Sequence, residues 1–159
     1  MIKAVFGGLA LAVLLGCQYD PYAHEYTHSK PTVNELSGRY EFDSETIQLL
    51  QKQSTQGIPN AILILRPNGS FTASNIPACW RSEEINSGTP ESAEGDWVIE
   101  KHQEWWSVKL RCTKINGLPM QYSLTVMVRN DAPPHVLHIT IGDPDSGEAL
   151  AFERRGNAT

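Results

Sequence analysis

Hydrophobic and polar positions alternate along most of the chain after residue 35, in short runs that are separated by turn-forming residues. A period of two is typical of β-strands with one buried face. The pattern predicts eight strands, at residues 38–42, 61–65, 70–74, 96–101, 105–112, 120–129, 135–141 and 149–154. One face of each run is apolar; the longest such stripe comprises Met120, Tyr122, Leu124, Val126 and Val128.

One short helix interrupts the alternation directly after the first predicted strand. Asp43 and Ser44 supply the side-chain oxygens that cap a helix N-terminus, and Ile47 and Leu50 follow on one helical face. The pattern therefore predicts a helix that begins after Asp43 and ends near Gln53.

Turn residues separate the predicted strands, such as Asn68-Gly69 between the second and third. A long loop from Asn75 to Ala93 follows the third strand, whereas the later connections, such as the one with Asn116-Gly117, have no room for a crossover helix. Short connections favour antiparallel pairing of consecutive strands. We predict an all-β fold with one short helix: an antiparallel meander of about eight strands, closed as a small barrel or folded as a sandwich.

The first residues have the organisation of an export signal. Lys3 precedes an uncharged run from Ala4 to Gly16, which is too short to cross a bilayer as a helix and matches the apolar region of a secretory signal. Residues 14–17, Leu-Leu-Gly-Cys, resemble the lipobox of bacterial lipoproteins. The resemblance implies that residues 1–16 are removed and that Cys17 carries the lipid; the alternative is an ordinary secretory signal in which Cys17 is incidental.

The same resemblance implies a location and a domain organisation. A lipid anchor on Cys17 implies attachment to the cell envelope, and Gln18 in place of Asp favours the outer membrane, facing the periplasm, in a Gram-negative host. Residues 17–35 contain prolines and no apolar period, so they are predicted to be a flexible tether. Residues 36–159 form the single predicted β domain.

The remaining two cysteines are an even pair in an exported chain. Oxidising compartments favour a disulfide between Cys79 and Cys112. Closing a loop of about 33 residues contributes on the order of 3 kcal/mol. The alternative is two free thiols.

Composition excludes two broad classes of protein. The chain is 40% hydrophobic and 19% charged, which is a globular composition and argues against disorder. Its net charge of −5 argues against a nucleic-acid-binding protein, which needs a basic surface.

The sequence contains no recognisable catalytic or metal-binding pattern. His135 and His138 point to opposite faces of one predicted strand, and His138 is expected to face solvent. The acidic turn that contains Asp143 and Asp145 lacks the spacing of a calcium loop. No nucleophile elbow of the Gly-x-Ser-x-Gly type is present. We predict no enzymatic activity, no cofactor and no metal.

Aromatic and acidic residues around Cys79 are the candidates for a protein contact. Alternation places Trp97 and Trp106 in the core, which leaves Trp80 in a long loop and Trp105 on the outer face. The loop also contains acidic residues: Glu83, Glu84, Glu91 and Glu94. Exposed tryptophan and complementary charge both favour partner binding, so Trp80, Glu83, Glu84 and Trp105 form the candidate site. The alternative is that a loop covers both tryptophans.

The start of the β domain resembles a known family. Residues 36–40, Leu-Ser-Gly-Arg-Tyr, are similar to the Gly-x-Trp start of lipocalins and bacterial lipocalin-like domains, with Tyr40 in the position of the Trp. The resemblance implies an eight-stranded up-and-down barrel. We predict a lipid-anchored, non-enzymatic module that binds a protein partner, as an inhibitor or immunity protein does; the alternative is a lipocalin-like carrier of a small apolar ligand.

Overall fold

Eight antiparallel strands close into a barrel in which each strand pairs with the next and β8 pairs with β1. The structure is a computed structural model and describes residues 19–53, 60–81 and 88–157. The predicted all-β fold class is confirmed, and the closed strand order identifies it as a barrel rather than a sandwich. The strands are β1 (Gly38–Phe42), β2 (Ile62–Leu65), β3 (Ser70–Ile76), β4 (Glu91–His102), β5 (Trp105–Ile115), β6 (Leu118–Arg129), β7 (Val136–Thr140) and β8 (Ala149–Gly156).

Every predicted strand is present, and the largest differences concern the ends of β4 and β5. β4 begins at Glu91 and β5 continues to Ile115. Both ladders of β5 shift register between Cys112 and Lys114. This irregularity brings Ile115 into the core and leaves Lys114 exposed. Simple alternation therefore ended the predicted strand too early.

Within the described residues, two α-helices accompany the barrel, α1 (Val33–Leu36) and α2 (Ser44–Gln53). Asp43 caps α2 as predicted, because its Oδ1 accepts the Thr46 N–H at 2.7 Å. The Thr46 hydroxyl in turn accepts the Ala151 N–H of β8 at 2.8 Å. α2 is thereby tied to the backbone of β8, and its Leu50 is buried in the hydrophobic cluster of the barrel.

Large side chains fill the barrel interior. Tyr40, Phe71, Trp97 and Phe152 are all buried in one hydrophobic cluster with aliphatic residues from the surrounding strands. Two of the aromatic residues also satisfy their polar groups, since Tyr40 donates its hydroxyl to the Leu36 carbonyl and Trp97 donates its indole N–H to a turn carbonyl, both at 2.9 Å. The predicted core position of Trp97 is confirmed.

Residues 19–35, which were expected to form part of a flexible tether, instead pack against the barrel. Tyr26 and Thr27 are buried. The regular pairing of β5 with β6 ends at the pair Ser107 and Met127. Beyond this pair, Thr27 of the N-terminal segment lies between the two strands and bonds to both. The Thr27 N–H bonds to the Val128 carbonyl at 2.8 Å, and the Thr27 carbonyl accepts the N–H of Trp106 at 3.0 Å. The tether prediction is wrong for these residues. They pack through individual contacts rather than as a regular strand or helix, so their sequence shows no hydrophobic period.

The alternation of strand direction gives the barrel two distinct ends. We call the end with the β1–β2, β3–β4, β5–β6 and β7–β8 connections the upper end, and the opposite end the lower end. The described N-terminal segment starts at the upper end, where the Tyr19 N–H bonds to Asp145 Oδ1 in the β7–β8 connection at 2.5 Å. It reaches the lower end by residues 30–33, which lie beside Pro67 and Gly69 of the β2–β3 turn.

Candidate functional site

An apolar groove of about 440 Å³ opens at the lower end of the barrel. Its walls are residues 30–33 of the N-terminal segment, Pro67 and Gly69 of the β2–β3 turn, and residues 97–99 of β4. Val33 is 42% exposed at this groove. The volume lies within the range of about 300–1,000 Å³ that binding pockets have in proteins.

Local hydrogen bonds hold both walls of this lower groove in place. In the turn, Gly69 adopts a φ of +83° and its carbonyl accepts the Trp97 N–H at 2.7 Å, which ties the turn to β4. On the opposite wall, Thr32 and Glu35 form a reciprocal capping box at the start of α1. The groove is therefore formed before any partner binds.

Trp105 lies on the outer face, as predicted, but is half-buried. The ring of Tyr26 stands edge-on to it, with 5.6 Å between ring centroids. Both residues line a second cavity, of about 410 Å³, on the outer surface of β6 and β7. Trp106, which was expected in the core, is also only half-buried, and the Lys30 ammonium lies 5.2 Å from the centroid of its ring. The N-terminal segment covers both tryptophans in part.

His138 is on the outer face of β7 and is completely buried, so the expectation that it faces solvent is wrong. The N-terminal segment covers it: the ring of Tyr22 lies 4.5 Å away and that of Tyr26 5.6 Å away, centroid to centroid. Within the described residues, neither ring nitrogen has a hydrogen-bond partner. Burial, with a smaller contribution from the nearby Arg129 guanidinium, lowers the pKa of His138 to about 4. The ring is therefore neutral at physiological pH.

Trp80 is a core residue and offers no contact surface. It is only 3% exposed and donates its indole N–H to Glu91 Oε2 at 2.8 Å. Arg81 donates to both oxygens of the same carboxylate, including an Nε bond of 2.7 Å, and these bonds lower the pKa of Glu91. The assignment of Trp80 to a partner-binding surface is therefore wrong, because its ring is buried in the core and its indole N–H already has a hydrogen-bond partner.

The acidic loop is also partly neutralised. Glu91 is paired with Arg81, and Glu94 forms an ion pair with Lys114 at 2.6 Å. Glu83 and Glu84 lie outside the described residues, as does Cys17. The two described acidic residues of this loop, Glu91 and Glu94, are therefore both paired with cations.

Cys79 and Cys112 are both buried in the hydrophobic cluster as free thiols, so the predicted disulfide is not formed in the structure. Burial raises the pKa of each thiol to about 11. Both residues therefore behave as small apolar core residues in their protonated form.

The β5–β6 hairpin extends beyond the barrel at its upper end. Residues 116–121 are exposed on both faces, and Leu118 and Met120 are 67% and 40% exposed. The expected buried stripe of β6 is thus wrong for Met120, and Tyr122 is half-buried with the Arg81 guanidinium 5.7 Å from its ring centroid. Alternation identified the correct face of β6, but the barrel core does not reach that far.

No group of three or more His, Cys, Asp or Glu residues in ranges 19–53, 60–81 and 88–157 is arranged to hold a metal ion. No helix in those ranges is long and apolar enough to cross a membrane. No protein-family model, curated protein or solved structure matched this chain. A proposal about function therefore depends on the geometry of the chain itself.

Proposed function

We propose that the protein is a lipid-anchored cell-envelope protein that binds a protein partner without catalysis, and that the partner occupies the lower groove. The observation that supports this most directly is the combination of an apolar lining, a preformed shape and an exposed Val33 at the barrel end. Solvent-exposed apolar surface is costly unless another molecule covers it. A partner segment with an aliphatic or aromatic side chain would match this groove.

The position of the proposed lipid anchor makes the lower groove accessible. Cys17 precedes Tyr19 by two residues, and Tyr19 is bonded to the upper end of the barrel. A lipid on Cys17 would hold the upper end towards the membrane. The lower end would then face the aqueous compartment, where a soluble or membrane-attached partner can approach it.

The filled interior argues against the alternative function of a lipocalin-like carrier. Carriers hold the ligand within the barrel, whereas here Tyr40, Phe71, Trp97 and Phe152 occupy the interior. A small apolar ligand would have to bind in an outer groove. The protein-partner proposal, with an inhibitor or immunity-like role as its most specific form, is therefore preferred.

The test is a crosslinking pull-down of the native lipoprotein from cell envelopes. We expect Val33→Asp to abolish capture of the partner, because it replaces apolar contact surface with a carboxylate that loses its hydration when the partner covers the groove. Asn34→Asp is the matched control, since Asn34 is exposed on the same helix but does not line the groove. Equal melting temperatures would confirm that both variants fold.

Three outcomes are informative. Loss of the same crosslinked protein in Val33→Asp but not in Asn34→Asp would support the proposal. Unchanged capture in Val33→Asp would refute the lower groove as the binding site. Recovery of a small apolar molecule from the purified wild-type protein, absent from Val33→Asp, would favour the carrier alternative instead. Separately, Cys17→Ser tests the anchor: continued fractionation with membranes would refute lipid attachment at Cys17.

A further inference from the structure

We propose that the tip of the β5–β6 hairpin, residues 116–121, contacts the same lipid surface that holds the anchor. The proposal rests on the proposed lipid attachment at Cys17 and adds to it a second membrane contact made by the folded barrel. The contact would cover Leu118 and Met120, two large apolar side chains that are exposed at the upper end.

The tip is apolar and its shape is fixed. Leu118 and Met120 are two of the four large hydrophobic side chains that are exposed among the described residues. The turn before them is a two-residue hairpin connection, in which Asn116 and Gly117 both have positive φ, at 51° and 76°. This backbone geometry matches the twist of paired strands and gives a tight turn. The tip thus presents apolar side chains from an ordered hairpin.

The anchor and the tip are at the same end of the barrel. Antiparallel strand order places the β5–β6 and β7–β8 connections together at the upper end. Tyr19 bonds to Asp145 in the β7–β8 connection, and Cys17 lies only two residues earlier. Two extended residues span about 7 Å. A lipid on Cys17 would therefore keep the upper end close to the bilayer, and a modest tilt of the barrel would bring the tip to the headgroups.

Tyr19 has the chemistry expected at such a contact. It is 68% exposed and is the first residue that the structure describes. Tyrosine is enriched at membrane–water interfaces because its ring is apolar and its hydroxyl is polar. Tyr19 and the hairpin tip would then be two contact points on one lipid surface.

The charges at the upper end indicate which lipids this surface accepts. The basic residues nearest the tip are already paired: Arg81, whose Nη1 lies 4.0 Å from Met120 Sδ, with Glu91, Lys114 with Glu94, and Arg111 with Asp96. The β7–β8 connection carries further acidic residues: Asp143, Asp145 and Glu148. No unpaired basic cluster is available there among the described residues to attract anionic lipid. The geometry points to a zwitterionic surface.

The experiment measures where the tip lies in the lipidated protein. The full lipoprotein is incorporated into vesicles of phosphatidylethanolamine and phosphatidylcholine, with an environment-sensitive fluorophore on an introduced cysteine. Leu118→Cys reports on the tip, and Val33→Cys is the matched control at the lower end. Selective labelling is feasible because Cys79 and Cys112 are buried, with the pKa of each raised to about 11.

We expect the label at position 118 to shift its emission to the blue, to be quenched by doxyl-labelled lipid and to lose quenching by aqueous iodide. The label at position 33 should show none of these changes. A second pair of measurements places the label at Gln121→Cys, with and without Leu118→Asp, and the charged variant should restore iodide quenching. Vesicles that contain phosphatidylglycerol should weaken the contact.

The outcomes separate this proposal from the anchoring on which it rests. Vesicle-bound protein in which the label at position 118 stays fully open to iodide would overturn the tip contact while leaving the anchor intact. Protein that fails to remain on vesicles would refute the anchor. Shielding that appears only after envelope extract is added would identify the tip as a protein-binding surface and overturn the lipid contact.

Discussion

Acidification from neutral pH to about pH 5 should destabilise the protein through a buried histidine, His138. In the folded state its pKa is about 4, against an ordinary value of 6.5. The unfolded chain therefore binds a proton in a range where the native state does not. The contribution of His138 to the free energy of unfolding is fully present above about pH 6.5 and decreases as the pH falls towards 4. Below the folded pKa it changes no further.

The magnitude follows from the two pKa values. One pKa unit corresponds to about 1.4 kcal/mol, so the contribution of His138 at pH 4 is a loss of about 3 kcal/mol relative to neutral pH, and about 2 kcal/mol of it is lost by pH 5. Arg129 faces the ring and disfavours its protonation, whereas the carboxylates of Asp20, Glu25 and Asp43 favour it. Burial outweighs the carboxylates.

The assay is urea unfolding of the wild type and of His138→Phe between about pH 7.5 and pH 5, a window chosen because most carboxylates stay ionised in it. Phenylalanine keeps the ring packing against Tyr22 and Tyr26 and removes the two nitrogens that have no partner. The variant should lose about 2 kcal/mol less than the wild type over this range.

Two results would refute the reasoning about His138. Identical pH dependence in both proteins would mean that His138 titrates normally in the folded state. A pKa near 6.5 for its ring, measured by NMR in the native protein, would mean that the N-terminal segment does not bury it. The same segment would then be closer to the flexible tether that the sequence suggested.

Three further predictions concern the barrel itself. Gly95→Ala should destabilise the fold by about 3 kcal/mol or prevent folding. A Cβ at this position would lie 1.9 Å from a carbonyl oxygen of β5, so the backbone would have to move. Unfolding of the variant at the wild-type urea midpoint would contradict this. Arg81→Ala should lower the free energy of unfolding by about 3 kcal/mol, because it leaves the 8% exposed Glu91 carboxylate without its ion pair. The double variant Arg81→Ala/Glu91→Gln should recover part of this loss, and no recovery would contradict the ion-pair explanation. Cys79 and Cys112 should resist a thiol reagent in the native protein near pH 8 and react after unfolding in urea, since both are buried and protonated; rapid native labelling would contradict their burial.

Most of the fold could be predicted from the sequence, because barrel strands show a local alternation of hydrophobic and polar residues. Each strand alternates between a filled interior and an outer face, so period two, turn residues and the Asp43 cap located eight strands and α2. The signal failed where alternation itself fails. The register shift near Cys112 hid the continuation of β5, and Met120 follows the inward pattern although the core ends before it.

The candidate sites depended on contacts that the sequence does not encode locally. Trp80 was a reasonable surface candidate until Glu91, eleven residues later, supplied a partner for its indole N–H. Val33 gave no signal, because the lower groove is assembled from a helix, a turn and a strand that are distant in the chain. Only closure of the barrel brings these pieces together.

The sequence by itself determined the strand number and the direction in which each strand alternates, since both are set by neighbouring residues. The export signal and the lipid anchor at Cys17 are also read from neighbouring residues, and they stay predictions. Only the tertiary structure decided which outward-facing residues are covered. His138 is the clearest case: its position on β7 places it outside the barrel, and the N-terminal segment then buries it. Burial depends on what packs against a residue, and that partner lies more than a hundred positions away in the chain.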